Sequence, residues 1–279
     1  MAIVSHSLNF MILLVGALGI GFVASITGIG GGCLMVPFMI LALGYDVKTA
    51  IAASLATVVV TSCSAASVYF RKRLVNLKIA LLLEPMSAIG AILGAHITLT
   101  LPTGTVRMLL GIAIMFIGVM VMLRSISKYS PKLVSTEFKV REDEYMWYYD
   151  EYLGRKVEYK PTRESLGAIL SLAGGLSSGM FGIGGGIIKV PIMNIVMRVP
   201  IKVAAATSSF MVGLTAASGS LVYLVNGAID PLTVLALALG ILPGAMLGAK
   251  VMSGMKPRTV QLVFALLLLY AGIRIIIGG

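Results

Sequence analysis

Apolar residues run along this chain in ten pieces, each closed by a short polar or glycine-rich interruption. The first five lie at 9–27, 33–44, 49–70, 77–98 and 105–124. The second five lie at 165–181, 187–197, 203–225, 232–249 and 259–277. Several approach or exceed the ~18–20 residues that span hydrocarbon as a helix. The piece at 49–70 is rich in small and hydroxylated side chains. That pattern predicts an all-α polytopic membrane protein. A polar stretch, 125–163, separates the two sets. The organisation is therefore a first transmembrane repeat at 1–124, a polar cytoplasmic connecting loop at 125–163, and a second transmembrane repeat at 164–279. The connecting stretch holds the single tryptophan, Trp147, and carries no chemistry beyond joining the halves.

The interruptions are informative. Residues 182–191 read Gly-Ile-Gly-Gly-Gly-Ile-Ile-Lys-Val-Pro, and residues 28–37 read Gly-Ile-Gly-Gly-Gly-Cys-Leu-Met-Val-Pro. Over 27–37 and 181–191, seven of eleven positions are identical at an offset of 154. The offset persists without a gap: Lys48 maps to Lys202, Ser54 to Ser208, Thr61 to Thr215, Tyr69 to Tyr223 and Gly90 to Gly244. The chain is an internal duplication. Glycine clusters break a helix and leave backbone groups unpaired, which a bilayer tolerates only where the break is buried or lines a cavity. A duplicated break points to a transporter's binding site.

Basic residues orient the halves. The loop at 71–78 carries Arg71, Lys72, Arg73 and Lys78, whereas its equivalent at 225–231 carries none. The loops at 198–202 and 250–258 outweigh their own equivalents in the opposite sense. Equivalent loops thus prefer opposite sides, which predicts two inverted repeats with both termini outside. The expected count is about eight transmembrane helices with each glycine-broken segment counted once, or ten legs with the pieces counted separately. The second pieces are too short to span ~30 Å at 1.5 Å per residue, so each motif forms a dip. With inversion, the two dips meet near the midplane.

Composition agrees. The chain is 58% hydrophobic and 12% charged with mean hydropathy +1.00, about half the charged fraction of a soluble domain. The net charge of +11 falls mainly in loops, so it reports membrane topology rather than nucleic acid. Met1 to Asn9 lacks Lys and Arg, so the first apolar run is expected to be retained rather than cleaved as a signal peptide. Cys33 and Cys63 both lie in apolar pieces and make neither a disulfide framework nor a metal pattern. Cys63 is expected to be buried. Cys33, next to the glycines, is a candidate substrate-facing thiol.

Where a leg begins after its glycines, the first N–H groups have no acceptor within the helix and favour an anion. The candidate substrate-binding residues are accordingly Gly28, Gly30, Gly31, Gly32 and Cys33 in the first copy. Gly182, Gly184, Gly185, Gly186 and Lys189 are their counterparts in the second. A lysine at membrane depth is functional by default, the alternatives being an interfacial position or a structural pair. Ser54, Thr61, Ser208 and Thr215 join the candidates because the duplication retains both pairs. Glu84 and His96 are candidates for proton coupling. Glu84 also lies about two turns from basic loop residues with which it could pair, and His96 and its equivalent Lys250 sit where interfacial anchors sit. Gly90-x-x-x-Gly94 and Gly244-x-x-x-Gly248 read as close-packing faces.

Neither glycine motif completes a dinucleotide spacing, no P-loop lysine follows, and no metal or nucleophile constellation appears. No enzyme and no cofactor is therefore expected. The doubled Gly-Ile-Gly-Gly-Gly with Val-Pro, and Lys202-Val203-Ala204-Ala205-Ala206-Thr207-Ser208, resemble the TauE/SafE sulfite exporter family, also called TSUP permeases. The resemblance covers both halves. It implies a multi-pass permease of the inner or plasma membrane that moves small anions, with sulfite, sulfonates and related sulfur oxyanions as the expected substrates. The expected partners are the small anionic substrate, a coupling proton or cation and the lipid bilayer. Alternating access would proceed around a midplane site. A passive anion channel and a membrane receptor or accessory subunit are the rival classes. Substrate identity, direction, coupling ion and oligomeric state are left open by the sequence.

Overall fold

The computed structural model describes residues 2–27, 32–126, 146–150, 155–252 and 257–278. The first repeat comprises α1 (Ala2–Thr27), α2 (Gly32–Leu43), α3 (Val47–Arg71), α4 (Leu77–Thr100) and α5 (Thr103–Ile126). Two short strands follow, β1 (Met146–Asp150) and β2 (Arg155–Tyr159). The second repeat comprises α6 (Glu164–Phe181), α7 (Gly186–Pro191, continued as a π-helical turn Ile192–Val196), α8 (Ile201–Val225), α9 (Pro231–Met252) and α10 (Pro257–Ile277). Four of these, α3, α4, α5 and α8, are long and apolar enough to cross a membrane among the described residues. The protein is a predominantly helical, multi-pass membrane protein, and its helices fall where the hydropathy places them.

Starts and stops follow local chemistry. Asp46 caps α3 by accepting from the Lys48 N–H, and Asn76 caps α4 by accepting from the Ile79 N–H. Left-handed residues close the legs in matched pairs. Gly44 after α2 (φ +68°) corresponds to Arg198 after α7 (φ +57°), and Arg73 after α3 (φ +52°) to Gly227 after α8 (φ +69°). An arginine in this conformation costs about 1 kcal/mol more than a glycine.

Packing exchanges between the repeats. α1 lies along α9, and α6 along α4. Both pairs run parallel: Leu14 and Leu18 meet Gly240 and Gly244, while Ser87 and Ala91 meet Gly175 and Gly179. A Cβ at Gly90, Gly94, Gly175 or Gly179 would overlap backbone of the opposing helix, so these helices touch main chain to main chain. The equivalent helices α3 and α8 face each other in antiparallel sense, with Leu55 near Gly219 and Ser62 near Gly213. α5 and α10 do likewise, Gly111 meeting Gly272 and Gly118 meeting Leu269.

The connecting stretch contains an element the hydropathy does not reveal. β1 and β2 pair antiparallel, Met146 opposite Tyr159 and Asp150 opposite Arg155. Tyr148 and Tyr159 are buried, and they join a core cluster with Ile79, Leu83, Met193, Met197 and Met211. Asn76 Nδ2 donates to the Tyr159 hydroxyl at 2.7 Å, tying the hairpin to the start of α4. Burial holds the Tyr159 phenol pKa above its ordinary value, against the opposing effect of that bond. The stretch is thus a docked hairpin as well as a connection.

Candidate functional site

The second glycine motif interrupts the chain between α6 and α7. Gly182 (φ +72°), Gly184 (φ +83°) and Gly185 (φ +71°) all take left-handed backbone, which side-chain-bearing residues rarely adopt. This reverses the chain within four residues and starts α7 at Gly186. Space is as restrictive as conformation there, since a Cβ at Gly185 would overlap the Gly174 carbonyl. In the first copy Gly28, Gly30 and Gly31 lie outside the described residues. Gly32 is buried at the start of α2, and a Cβ added to it would stand 2.5 Å from the Gly182 carbonyl oxygen. The two breaks therefore abut. Ser54 from α3 braces them, its hydroxyl donating to Gly182 O at 2.8 Å.

Three hydroxyls distinguish the surroundings. Ser178 and Ser208 are buried, and neither Oγ has a hydrogen-bond partner among the described residues. Ser208 Oγ lies 3.4 Å from where a Gly186 Cβ would be, and Ser178 Cβ 3.4 Å from where a Gly185 Cβ would be. Both thus flank the first turn of the helical stretch Gly186–Val196, where the Ile188 and Lys189 N–H groups share the Gly185 carbonyl and the N–H groups of Gly186 and Ile187 lie ahead of the first helical bond. Ser54 is satisfied by Gly182, so its hydroxyl is a brace.

One turn further along, Lys189 is completely buried. It does not snorkel. Its ammonium is 3.4 Å from Glu84 Oε2 and donates to the Thr215 hydroxyl. Thr215 Oγ1 lies 2.6 Å from Glu84 Oε1 and 2.9 Å from the Met211 carbonyl. Having one proton, it donates to one of these at a time. Ser87 Oγ completes the group at 3.0 Å from Thr215 Oγ1. Gly174 makes room for the lysine stem, because a Cβ there would stand 3.1 Å from Lys189 Cγ. Four elements contribute: α4 carries Glu84 and Ser87, α6 Gly174, α7 Lys189 and α8 Thr215. Ser171 locks two of them by donating to the Leu83 carbonyl at 2.7 Å.

Other expected site residues lie elsewhere. Thr61 donates within α3, 3.0 Å from the Val58 carbonyl, and does not reach the cluster. Cys33, next to Gly32, is buried in a core cluster drawn from both repeats, and Cys63 is exposed on α3 rather than buried. His96 is exposed, about 18 Å along α4 from Glu84. Glu84 pairs with Lys189 and not with a loop base, because its helix face turns toward α6 and α8. Lys250 lies in α9, with its side chain outside the described residues. Ser87, Ser178 and Gly174 were not singled out from the sequence. The usable signal was comparison of the copies, where Gly174 stands against Ile20, Lys189 against Met35 and Glu84 against Ala238.

Two relatives align with this chain over most of their own length. "Probable membrane transporter protein YunE" of Bacillus subtilis is 29% identical over 98% of this chain and 99% of its own. "Probable membrane transporter protein YdhB" of the same organism is 24% identical over 86% and 89%. "Probable membrane transporter protein MamO" of Paramagnetospirillum magneticum is 30% identical over 90% of this chain, which spans 42% of that longer protein. No solved structure matches the chain. The profile of the sulfite exporter TauE/SafE family matches residues 12–275, taking in both breaks, the Lys189 cluster and every helix that surrounds them. The protein is a membrane transporter, and the chain belongs to the sulfite exporter TauE/SafE family.

Proposed function

We propose that the protein is a secondary transporter of small oxyanions, with sulfite, sulfonates and related sulfur oxyanions as its substrate class. The anion occupies the junction of the two glycine breaks, coordinated by the leading N–H groups of the Gly186 helix and the hydroxyls of Ser178 and Ser208. The observation that carries this reading is the pair of buried hydroxyls without partners beside Gly185 and Gly186. A buried polar group left unpaired costs about 1–3 kcal/mol, which a bound oxyanion offsets.

The repeats are inverted. The antiparallel sense of α3 against α8 and of α5 against α10 supports this, because a two-fold that reverses helix direction lies across the helices. The matched turns favour it too. Where the loop is cytoplasmic the left-handed residue is Arg73 or Arg198, and where it is external it is Gly227 or Gly44. Charge outweighs backbone strain on one side only. Alternating access around the junction then moves the anion, and the family name together with the two full-length relatives named as transporters favours transport over a receptor role.

The test is a thermal-shift screen of the purified protein against sulfite, thiosulfate, sulfoacetate, taurine, sulfate and carboxylates, followed by counterflow in proteoliposomes. Ligand binding raises the melting temperature by mass action. Sulfur oxyanions are expected to stabilise most, and Ser208→Ala to weaken that response about fivefold, the worth of roughly one hydrogen bond. No stabilisation and no counterflow with any sulfur oxyanion removes the reading. Flux without counterflow replaces it with a channel, and stabilisation without flux with a receptor.

A further inference from the structure

The Lys189–Glu84 pair sits one turn from the glycine junction and belongs to no packing need, since the equivalent positions in the other copy are filled by Met35 and Ala238. We propose that this pair is the coupling element: Glu84 takes up one proton as the anion binds, and the Lys189 ammonium so released becomes the anion's countercharge. The proposal rests on the anion-transport reading above and names its coupling ion.

Charge balance in a dry site is the reason. With the pair closed, the ammonium and the carboxylate sum to zero. An anion entering alone would leave a net negative charge in a low-dielectric interior, and a proton entering alone a net positive one. Together they restore zero: the carboxylate becomes a carboxylic acid, and the ammonium faces the anion instead. A monovalent anion and one proton therefore travel in the same direction.

The hydroxyl relay fits both states. When Glu84 is ionised, the single Thr215 proton points to Glu84 Oε1, and Thr215 accepts from Lys189. When Glu84 is protonated it becomes the donor, and the Thr215 proton turns to the Met211 carbonyl, already at 2.9 Å. Other titratable groups stand away. On α4 these are Lys78 and His96, about 9 and 18 Å along the helix from Glu84. α6 has only Glu164 at its start; α8 has Lys202 in its first turn and Tyr223, whose hydroxyl donates to Gly179 O. Lys189 is the single charged residue of Gly186–Val196.

The experiment uses the full chain with methanesulfonate, a monovalent anion that takes up no proton between about pH 5 and pH 8. Titration calorimetry in two buffers of different ionisation enthalpy counts protons bound per anion. Wild type is expected to take up close to one, with apparent affinity weakening about tenfold per pH unit once Glu84 is ionised. Glu84→Gln should take up none and bind the anion with no pH dependence. The double variant Glu84→Ala, Lys189→Met reproduces the apolar arrangement of the other copy, so it leaves no unpaired charge to prevent folding, and it too should take up none. Proton uptake that persists in either variant, or is absent from wild type, overturns the proposal. Self-exchange of labelled anion at equal pH on both sides of a vesicle reports transport alone. Its absence from wild type removes the transport reading and the coupling with it, whereas self-exchange that ignores a pH gradient overturns the coupling only.

Discussion

The two copies of the repeat share the order of their helices and differ in what they bury beside the glycine break. In the second, the helix after the glycine break carries Lys189, its stem lies over Gly174, and Glu84 of α4 faces it. Around the first break the equivalent positions are Met35 and Ile20 and, on α9, Ala238. Three substitutions thus go together: a cation, the space for its stem, and an acid to match it. Thr215 and Thr61 occupy equivalent positions, yet one bonds the ion pair and the other its own helix. Duplication supplied two equivalent glycine motifs, and one of them is flanked by an ion pair.

The contrast can be broken from its charged side. Lys189→Met alone leaves Glu84 buried without a partner and should destabilise by about 3–5 kcal/mol, read as a lowered melting temperature in detergent. Met35→Leu, the conservative control in the apolar copy, should cost less than about 1.5 kcal/mol. A smaller effect follows from Gly174→Ile, which imports the bulk of Ile20 against Lys189 Cγ. Overpacking of this kind costs about 1–3 kcal/mol, and Ile20→Gly does not compensate, because the crowding lies on one side only. The smallest contrast is between the threonines. Thr215→Val removes a hydrogen bond to a charged group and should cost about 1.5 kcal/mol. Thr61→Val is expected within about 0.5 kcal/mol of wild type, since its hydroxyl serves only its own helix. Equal losses from the two threonine variants would erase the distinction between the copies.

Spans, breaks and duplication were legible because each is written in one dimension. Hydrophobic length, glycine spacing and a constant offset need no knowledge of neighbours. Lys189 was legible for the same reason, being a lysine in an apolar run. Its partner was not. Glu84 lies 105 residues away, and which base it meets depends on α4 lying parallel against α6, a register set by main-chain contact at Gly175 and Gly179. Read along α4 alone, the loop bases look as near. Ser178 was missed because its equivalent is Ala24, so a search for retained pairs passes over it. Thr61 was selected by that same criterion and serves only its helix. The hairpin escaped because a mixed-charge stretch reads as solvated, although Trp147, Tyr148, Tyr149, Val157 and Tyr159 are strand-forming residues.

The main-chain contacts along α4–α6 and α1–α9 decide what the mechanical parts of this molecule are. Helices separated by side chains can slide, since rotamers give way. Helices touching carbonyl to Cα at Gly90, Gly94, Gly175 and Gly179 have nothing to give, and the same holds where Leu14 and Leu18 meet Gly240 and Gly244. Each pair is a girder, one beam taken from either copy. The line along which the molecule can part therefore does not follow the duplication that built it; it cuts across both copies.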